Sequence, residues 1–183
     1  MSFAFYENRI IYIEHQFYIM RNFIFLAVLA GLITSCANYQ EIPKQAVEET
    51  IDQWHEAAAQ ADFEKYFGLM TSNAVFIGTD ATENWQLAEF KAFAQPFFDR
   101  GKAWSFTSLE RNVYSENEVV YFDELLDTQM GICRGSGVLI KENGKYKIAH
   151  YVLSIAVPND NVENLTALKK NWDMQYIDQL RNQ

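Results

Sequence analysis

The sequence predicts an α+β domain in which a curved antiparallel sheet packs on three N-terminal helices to form a cone, with one more helix at the C-terminus. Three observations carry this. Apolar residues recur at helical spacing in three segments between residues 44 and 98. The period then changes to four successive strand-like runs, the last two joined by Asn143-Gly144, the strongest two-residue hairpin signal. A helical period returns over about residues 161–181. Helices first and a strand meander afterwards segregate the helices to one face of the sheet. A strongly bent sheet over helices leaves an open mouth.

The first helix spans roughly 44–60, with Val47, Ile51, Trp54 and Ala58 on one face. Asp62 caps a second, short helix in which Phe63, Tyr66, Phe67 and Met70 share a face. Residues 74–77 make a short strand, and Gly78-Thr79-Asp80-Ala81-Thr82 a turn. The third helix, about 85–98, is expected to bury Leu87, Phe90, Phe93 and Phe97. Pro96 weakens its last turn and Gly101 ends it. Strands follow at 103–114, 118–127, 132–141 and 146–157, broken by Ser115-Glu116-Asn117, by Thr128 to Gly131, and by Asn143-Gly144. The last helix offers Leu165, Leu168, Trp172, Tyr176 and Leu180. No internal repeat or low-complexity segment interrupts this order.

The region before the domain reads as a signal. Met20-Arg21-Asn22 is a short basic start, and Phe23 to Ile33 an unbroken apolar run. That run is short for a bilayer span of ~20 residues but suits the apolar region of a signal peptide. Ile33-Thr34-Ser35-Cys36 follows, and it resembles the lipobox of bacterial lipoproteins, whose cysteine is acylated and becomes the new N-terminus. Residues 1–19, with Glu7, Glu14 and many aromatics, read as an over-extended start. The expected organisation is therefore a signal region at 1–35 (with the signal peptide at 20–35), a tether at 36–43, the folded domain at 44–160 and the C-terminal helix at 161–183. A domain lipid-anchored at Cys36 in the cell envelope follows from that reading.

Arg9 and Arg21 balance Glu7 and Glu14, so the whole net charge of −9 lies behind the signal. No Lys/Arg cluster stands out, which argues against a nucleic-acid partner. Membrane attachment would rest on acyl chains and not on basic residues. If Cys36 is acylated, Cys133 has no disulfide partner. There is no CxxC, and only His55 and His150 accompany Cys133 in the domain, so no zinc site of the usual kind is expected. No P-loop, GxGxxG or GxSxG occurs, and no cofactor is implied.

Several stretches in order resemble the SnoaL-like domains of the nuclear transport factor 2-like superfamily. They are Ile51-Asp52-Gln53-Trp54-His55 with Ala61-Asp62; Phe76-Ile77-Gly78-Thr79-Asp80 with Glu83 and Trp85; Phe122-Asp123-Glu124; Arg134 to Leu139; and Ile148-Ala149-His150-Tyr151 closing with Ser154 and Val157-Pro158-Asn159. The resemblance covers about residues 44–160. It implies a conical pocket and frequent homodimers. It implies no single activity, because the superfamily includes cyclases, isomerases, dehydratases and transport adaptors.

Strand parity supplies candidates for the site. A two-residue turn at Asn143-Gly144 pairs 142 with 145, 140 with 147 and 137 with 150, and paired residues share a face. His150 then lies beside Gly137, with Leu139, Ile148 and Val152 around it, while Arg134, Ser136, Lys147 and Tyr151 point away. Gly135 and Gly137 either open space above the sheet or mark a bend. Two registers are open at the preceding turn. A two-residue loop at Gln129-Met130 sets Glu124 on the His150 face across from Gly135, giving a carboxylate–imidazole pair suited to acid–base work. An odd-numbered loop sets Glu124 against Arg134 as a structural ion pair. The ion pair is favoured, since charges inside a sheet are more often neutralised than employed.

Trp54, Tyr66, Trp85, Phe93, Phe97 and Trp104 are either core or the lining of an aromatic pocket. Asp80 and Glu83 are either turn and capping residues or guards of the cone mouth. The expected ligand-binding set is Trp54, Tyr66, Asp80, Trp85, Phe97, Trp104 and Arg134; the expected catalytic pair is Glu124 and His150. His55 is expected on the exposed edge of the first helix. Three functions compete: binding of a small apolar or amphipathic molecule at the envelope, acid–base catalysis on a carbonyl-containing substrate, and a dimeric interaction module. Binding ranks first, because aromatic content is high and no strong catalytic motif is present.

Overall fold

The computed structural model describes residues 43–116 and 119–183, together with Met20. The expected signal peptide, Cys36 and all of the tether but Pro43 lie outside the described residues, as does Asn117. Among the described residues no helix is long and apolar enough to cross a membrane.

Helix α1 (Lys44–Ala59) buries Val47, Ile51, Trp54 and Ala58, as its spacing demands. His55 is buried with them, at 5 % exposure. It stands four residues beyond Ile51 and so on the apolar stripe, which corrects its expected place on an open edge. Helix α2 (Phe63–Gly68) starts at Asp62, whose carboxylate accepts from the Lys65 amide at 3.0 Å. Met70 does not extend α2. It begins strand β1 (Met70–Ile77), which is longer than the expected 74–77.

A short strand, β2 (Asn84–Gln86), takes the place of the expected start of the third helix and pairs antiparallel with β1, setting Trp85 opposite Phe76. Helix α3 (Leu87–Asp99) then begins, the Gln86 amide donating to the Glu89 carboxylate at 3.0 Å. That start fixes which face turns inward. Phe90, Ala94 and Phe98 are buried, while Phe93 is 39 % exposed and Leu87 and Phe97 are half-buried. The helix runs through the exposed Pro96 to Asp99, and Gly101 ends it at φ +70°.

Four long strands follow: β3 (Phe106–Glu116), β4 (Val119–Thr128), β5 (Gly131–Glu142) and β6 (Lys145–Ile155). The six strands make one curved sheet in the order β2-β1-β6-β5-β4-β3, with β1 parallel to β6 and the meander antiparallel. Helices precede and follow the sheet, so the α+β cone is the observed fold.

The hairpin at Asn143-Gly144 pairs 142 with 145 and 140 with 147, as its turn type requires. The register then shifts. Leu139 faces Ile148, but Val138 faces His150 and Gly137 faces Tyr151. Ala149 is the extra residue of a β-bulge, and one inserted residue exchanges the two faces of everything beyond it. His150 therefore does not lie beside Gly137; Tyr151, fully buried, does.

The C-terminal helix α4 (Val162–Arg181) has no buried residue. Leu168 is 85 % exposed, and the Tyr176 hydroxyl reaches the Ala81 carbonyl at 3.4 Å.

Candidate functional site

Two features lie on the concave side of the sheet, one polar and sealed, the other aromatic and open. The polar one centres on Glu124 of β4, fully buried. The two-residue connection at Gln129-Met130 pairs Thr128 with Gly131 and hence Glu124 with Gly135. On the other side β3 sets Arg111 opposite Glu124. One carboxylate oxygen accepts from His55 Nε2 at 2.8 Å and from the Tyr151 hydroxyl at 2.9 Å. The other accepts from Arg111 Nε at 2.9 Å. Arg111 continues to Asp52 at 2.7 Å, at the exposed start of the chain of contacts. Asp52 and His55 stand three apart on α1, so one helix face serves both. The bridge from β6 exists because Gly135 has no side chain: a Cβ there would collide with the Tyr151 hydroxyl.

Burial pushes the Glu124 carboxyl up. The hydrogen bond and charge of His55, the charge of Arg111 and the Tyr151 hydroxyl outweigh it and hold the group below the usual carboxylate range. Burial, with Glu124 beside it, raises the Tyr151 phenol well above its ordinary value, so it stays a donor. This is a carboxylate with three donors, pinned rather than poised.

The aromatic feature is a cavity of about 110 Å³. Phe76, Trp85, Phe90, Phe93, Trp104 and Phe106 make most of its wall, with Leu153 and Met130; Gly78, Thr79, Glu83 and Gln129 bring the polar atoms. Phe106 separates it from the network, standing edge-on to the His55 ring at 5.6 Å. Neither Glu124 nor His55 lines it. Beneath the wall, Trp54 stacks on Tyr66 at 5.0 Å. Among the described residues the buried Trp54 indole nitrogen and Tyr66 hydroxyl have no hydrogen-bond partner of good geometry. Burial raises the Tyr66 phenol well above its ordinary value, with Trp104 alongside opposing that. Among the described residues no group of His, Cys, Asp and Glu is placed to hold a metal.

The sequence of the SnoaL-like domain family matches residues 47–158. The chain belongs to that family. Solved structures with the same fold include an NTF2-like protein of unknown function from Pseudomonas putida KT2440, at 11% identity and TM-score 0.54, covering 64% of this chain and 89% of that one. A candidate dehydratase of the NTF2-like family from Streptomyces avermitilis is 10% identical at TM-score 0.55, covering 62% and 96%. A candidate ketosteroid isomerase from Shewanella frigidimarina is 18% identical at TM-score 0.51, covering 60% and 94%. At these identities the likeness is one of fold. No curated protein matches the chain significantly.

Within this SnoaL-like domain the expected site residues separate into groups. Trp85 and Trp104 line the cavity; Trp54 and Tyr66 form the layer beneath it; Phe97 packs beside Trp104 at 6.4 Å. Asp80 is exposed and spends its carboxylate on the Thr82 amide and hydroxyl at 2.8 and 2.6 Å, a turn device. Arg134 lies on the exposed outer face of β5, opposite Leu125, so it joins neither Glu124 nor the cavity. The expected pairing of Glu124 with His150 is likewise corrected, since the bulge at Ala149 turns His150 to the other face. Glu124 meets His55 and Arg111 instead. Sequence reasoning missed Arg111, although Glu116 pairing with Val119 carries Arg111 opposite Glu124 by counting alone. Of its two alternatives for Gly135 and Gly137, open space is not what the structure has, since the Tyr151 and Phe122 side chains lie there.

Proposed function

We propose that this SnoaL-like chain is an envelope lipoprotein whose domain binds a small, ring-sized apolar group in the aromatic cavity. One observation carries the binding reading: the cavity wall is aromatic, while the buried carboxylate lies behind that wall with its oxygens already engaged. An acid–base enzyme needs its proton-transferring group within reach of a bound substrate. Glu124 has no such access, and its three donors lower its appetite for a proton. Size supports the same choice. A cavity of ~150 Å³ holds a benzene ring, and drug-sized ligands occupy ~300 Å³ or more. At about 110 Å³ this cavity suits one ring or a compact branched head, not a polycyclic substrate.

Titration calorimetry of the full chain with phenol, a neutral single ring, should give a saturable one-to-one isotherm. Phe93 is partly exposed, so its removal spares the core. Phe93→Ala should weaken binding about fivefold, in line with one lost aromatic contact. Absence of saturable heat with phenol would sink this reading.

The envelope assignment rests on the apolar run and on Thr34-Ser35-Cys36 behind it. Expressed in a bacterium that acylates lipoproteins, the wild type should enter the detergent phase on Triton X-114 partition and carry a lipid mass increment on Cys36. Cys36→Ala should move to the aqueous phase. An unmodified Cys36 in mature wild-type protein would remove the anchor from the proposal.

A further inference from the structure

We propose that the occupant of the aromatic cavity is a small organic cation of the methylated ammonium type. This deepens the binding reading above and rests on it. The argument starts from the charges at the wall. Among the described residues that line the cavity, Glu83 alone is charged. Its carboxylate is held by the turn: one oxygen accepts from the Asp80 amide at 3.1 Å, and its backbone carbonyl accepts from the Gly78 amide at 2.9 Å. A Cβ on Gly78 would collide with the Glu83 carboxylate, so the glycine is what lets the acid fold in against the wall. Among the described residues the other carboxylate oxygen has no protein donor.

A neutral ring entering this cavity would strip water from Glu83 and give nothing back, an unfavourable step for a charged group. A cation offsets it. The walls favour the same sign. Trp85 stacks on Phe93 at 4.3 Å and on Phe90 at 5.6 Å, and Trp104 stacks on Phe90 at 5.9 Å. Aromatic faces carry the negative part of the ring quadrupole and attract cations, tryptophan most strongly. Arg100 already rests over the neighbouring Phe97 ring at 4.7 Å, outside the cavity lining. The chain's net charge of −9 draws cations toward the domain and repels anions. Within the cations, a primary ammonium holds its water strongly. A methylated head presents apolar surface to the rings while keeping its charge, and a compact trimethylammonium head is of the size that about 110 Å³ admits.

The test compares choline with 3,3-dimethylbutan-1-ol, its neutral carbon isostere, by titration calorimetry on the full chain. Wild type should bind choline at least about tenfold more tightly, and the choline affinity should fall with added potassium chloride while the isostere's does not. Glu83→Gln keeps an acceptor for the Asp80 amide; it should lose the preference for choline and bind the isostere as tightly as wild type or more tightly, because no charge is desolvated. Phe93→Ala should weaken both. Equal or tighter binding of the isostere by wild type overturns the cation proposal and leaves the ring-binding reading standing, as does phenol binding without choline binding. Failure of phenol overturns the ring-binding reading, and failure of choline and the isostere with it overturns both. The wild-type comparison and its salt dependence decide the matter even if Glu83→Gln does not fold.

Discussion

Glu124→Ala should be the most damaging single substitution in the polar network, lowering unfolding free energy by about 3–5 kcal/mol. The reason is what it leaves behind. Arg111 is only 7 % exposed, and one of its terminal nitrogens is already buried without a partner among the described residues. Without Glu124 its charge keeps only the half-exposed contact to Asp52, and the His55 and Tyr151 donors lose their acceptor together. Removing a partner from a buried pair costs far more than the pair's net worth, because the surviving charge stays desolvated. The same logic makes a rescue possible. Replacing both members, Glu124→Leu with Arg111→Met, should recover much of the loss in urea unfolding. A Glu124→Ala variant within 1 kcal/mol of wild type would show that water reaches the network.

The network also sets an acid limit. The folded-state Glu124 value lies below its ordinary one, which is about 4.3 in an unfolded chain. A depressed carboxylate contributes stability that is complete above the unfolded value and is lost as pH falls through the folded one. Wild type should therefore lose stability on the acid side of pH 4 more steeply than Glu124→Gln. Parallel urea midpoints at pH 7 and in that acid range check the sign.

The helices were legible because their period survives tertiary packing: Val47, Ile51, Trp54 and Ala58 are buried where the stripe put them. The turn at Asn143-Gly144 was legible because backbone geometry there admits few residues, with Asn143 at φ +52° and Gly144 at φ +79°. What failed was parity carried too far. Nothing in Lys147-Ile148-Ala149-His150 announces that Ala149 is the inserted residue, yet the insertion decides whether histidine or tyrosine faces inward. The site inherits this error, because Glu124 was placed opposite Gly135 by one of the two open registers but its partners are Tyr151 of the bulged β6, Arg111 of β3 and His55 of α1. The His55 contact is fixed by how helix and sheet meet, which no local window contains. The aromatic wall was half legible. Trp85 and Trp104 stood out by size, whereas Phe90 read as ordinary core and Phe76 and Phe106 were not singled out as lining.

Gly137→Ala should cost about 2–3 kcal/mol, near the upper end for overpacking by one methyl. The added Cβ would lie 2.6 Å from the Phe122 ring and 2.7 Å from the His150 carbonyl oxygen. Phe122 is buried at 2 % exposure and has little room to turn, and the carbonyl belongs to the bulged strand β6 and cannot yield without breaking the ladder. Gly68 is the control. It closes α2 with nothing near its would-be Cβ, so Gly68→Ala should be neutral or stabilise by about 0.5–1 kcal/mol. Gly135→Ala separates the two roles of these glycines. Its obstacle is the Tyr151 hydroxyl, the far end of a side chain, but one tied to Glu124 at 2.9 Å. The penalty should therefore shrink when Tyr151→Phe removes that hydroxyl, whereas the Gly137→Ala penalty should not. Additive losses for Gly135→Ala and Tyr151→Phe would mean that the glycine serves only the bend of the sheet and that the Tyr151–Glu124 bond does not depend on it.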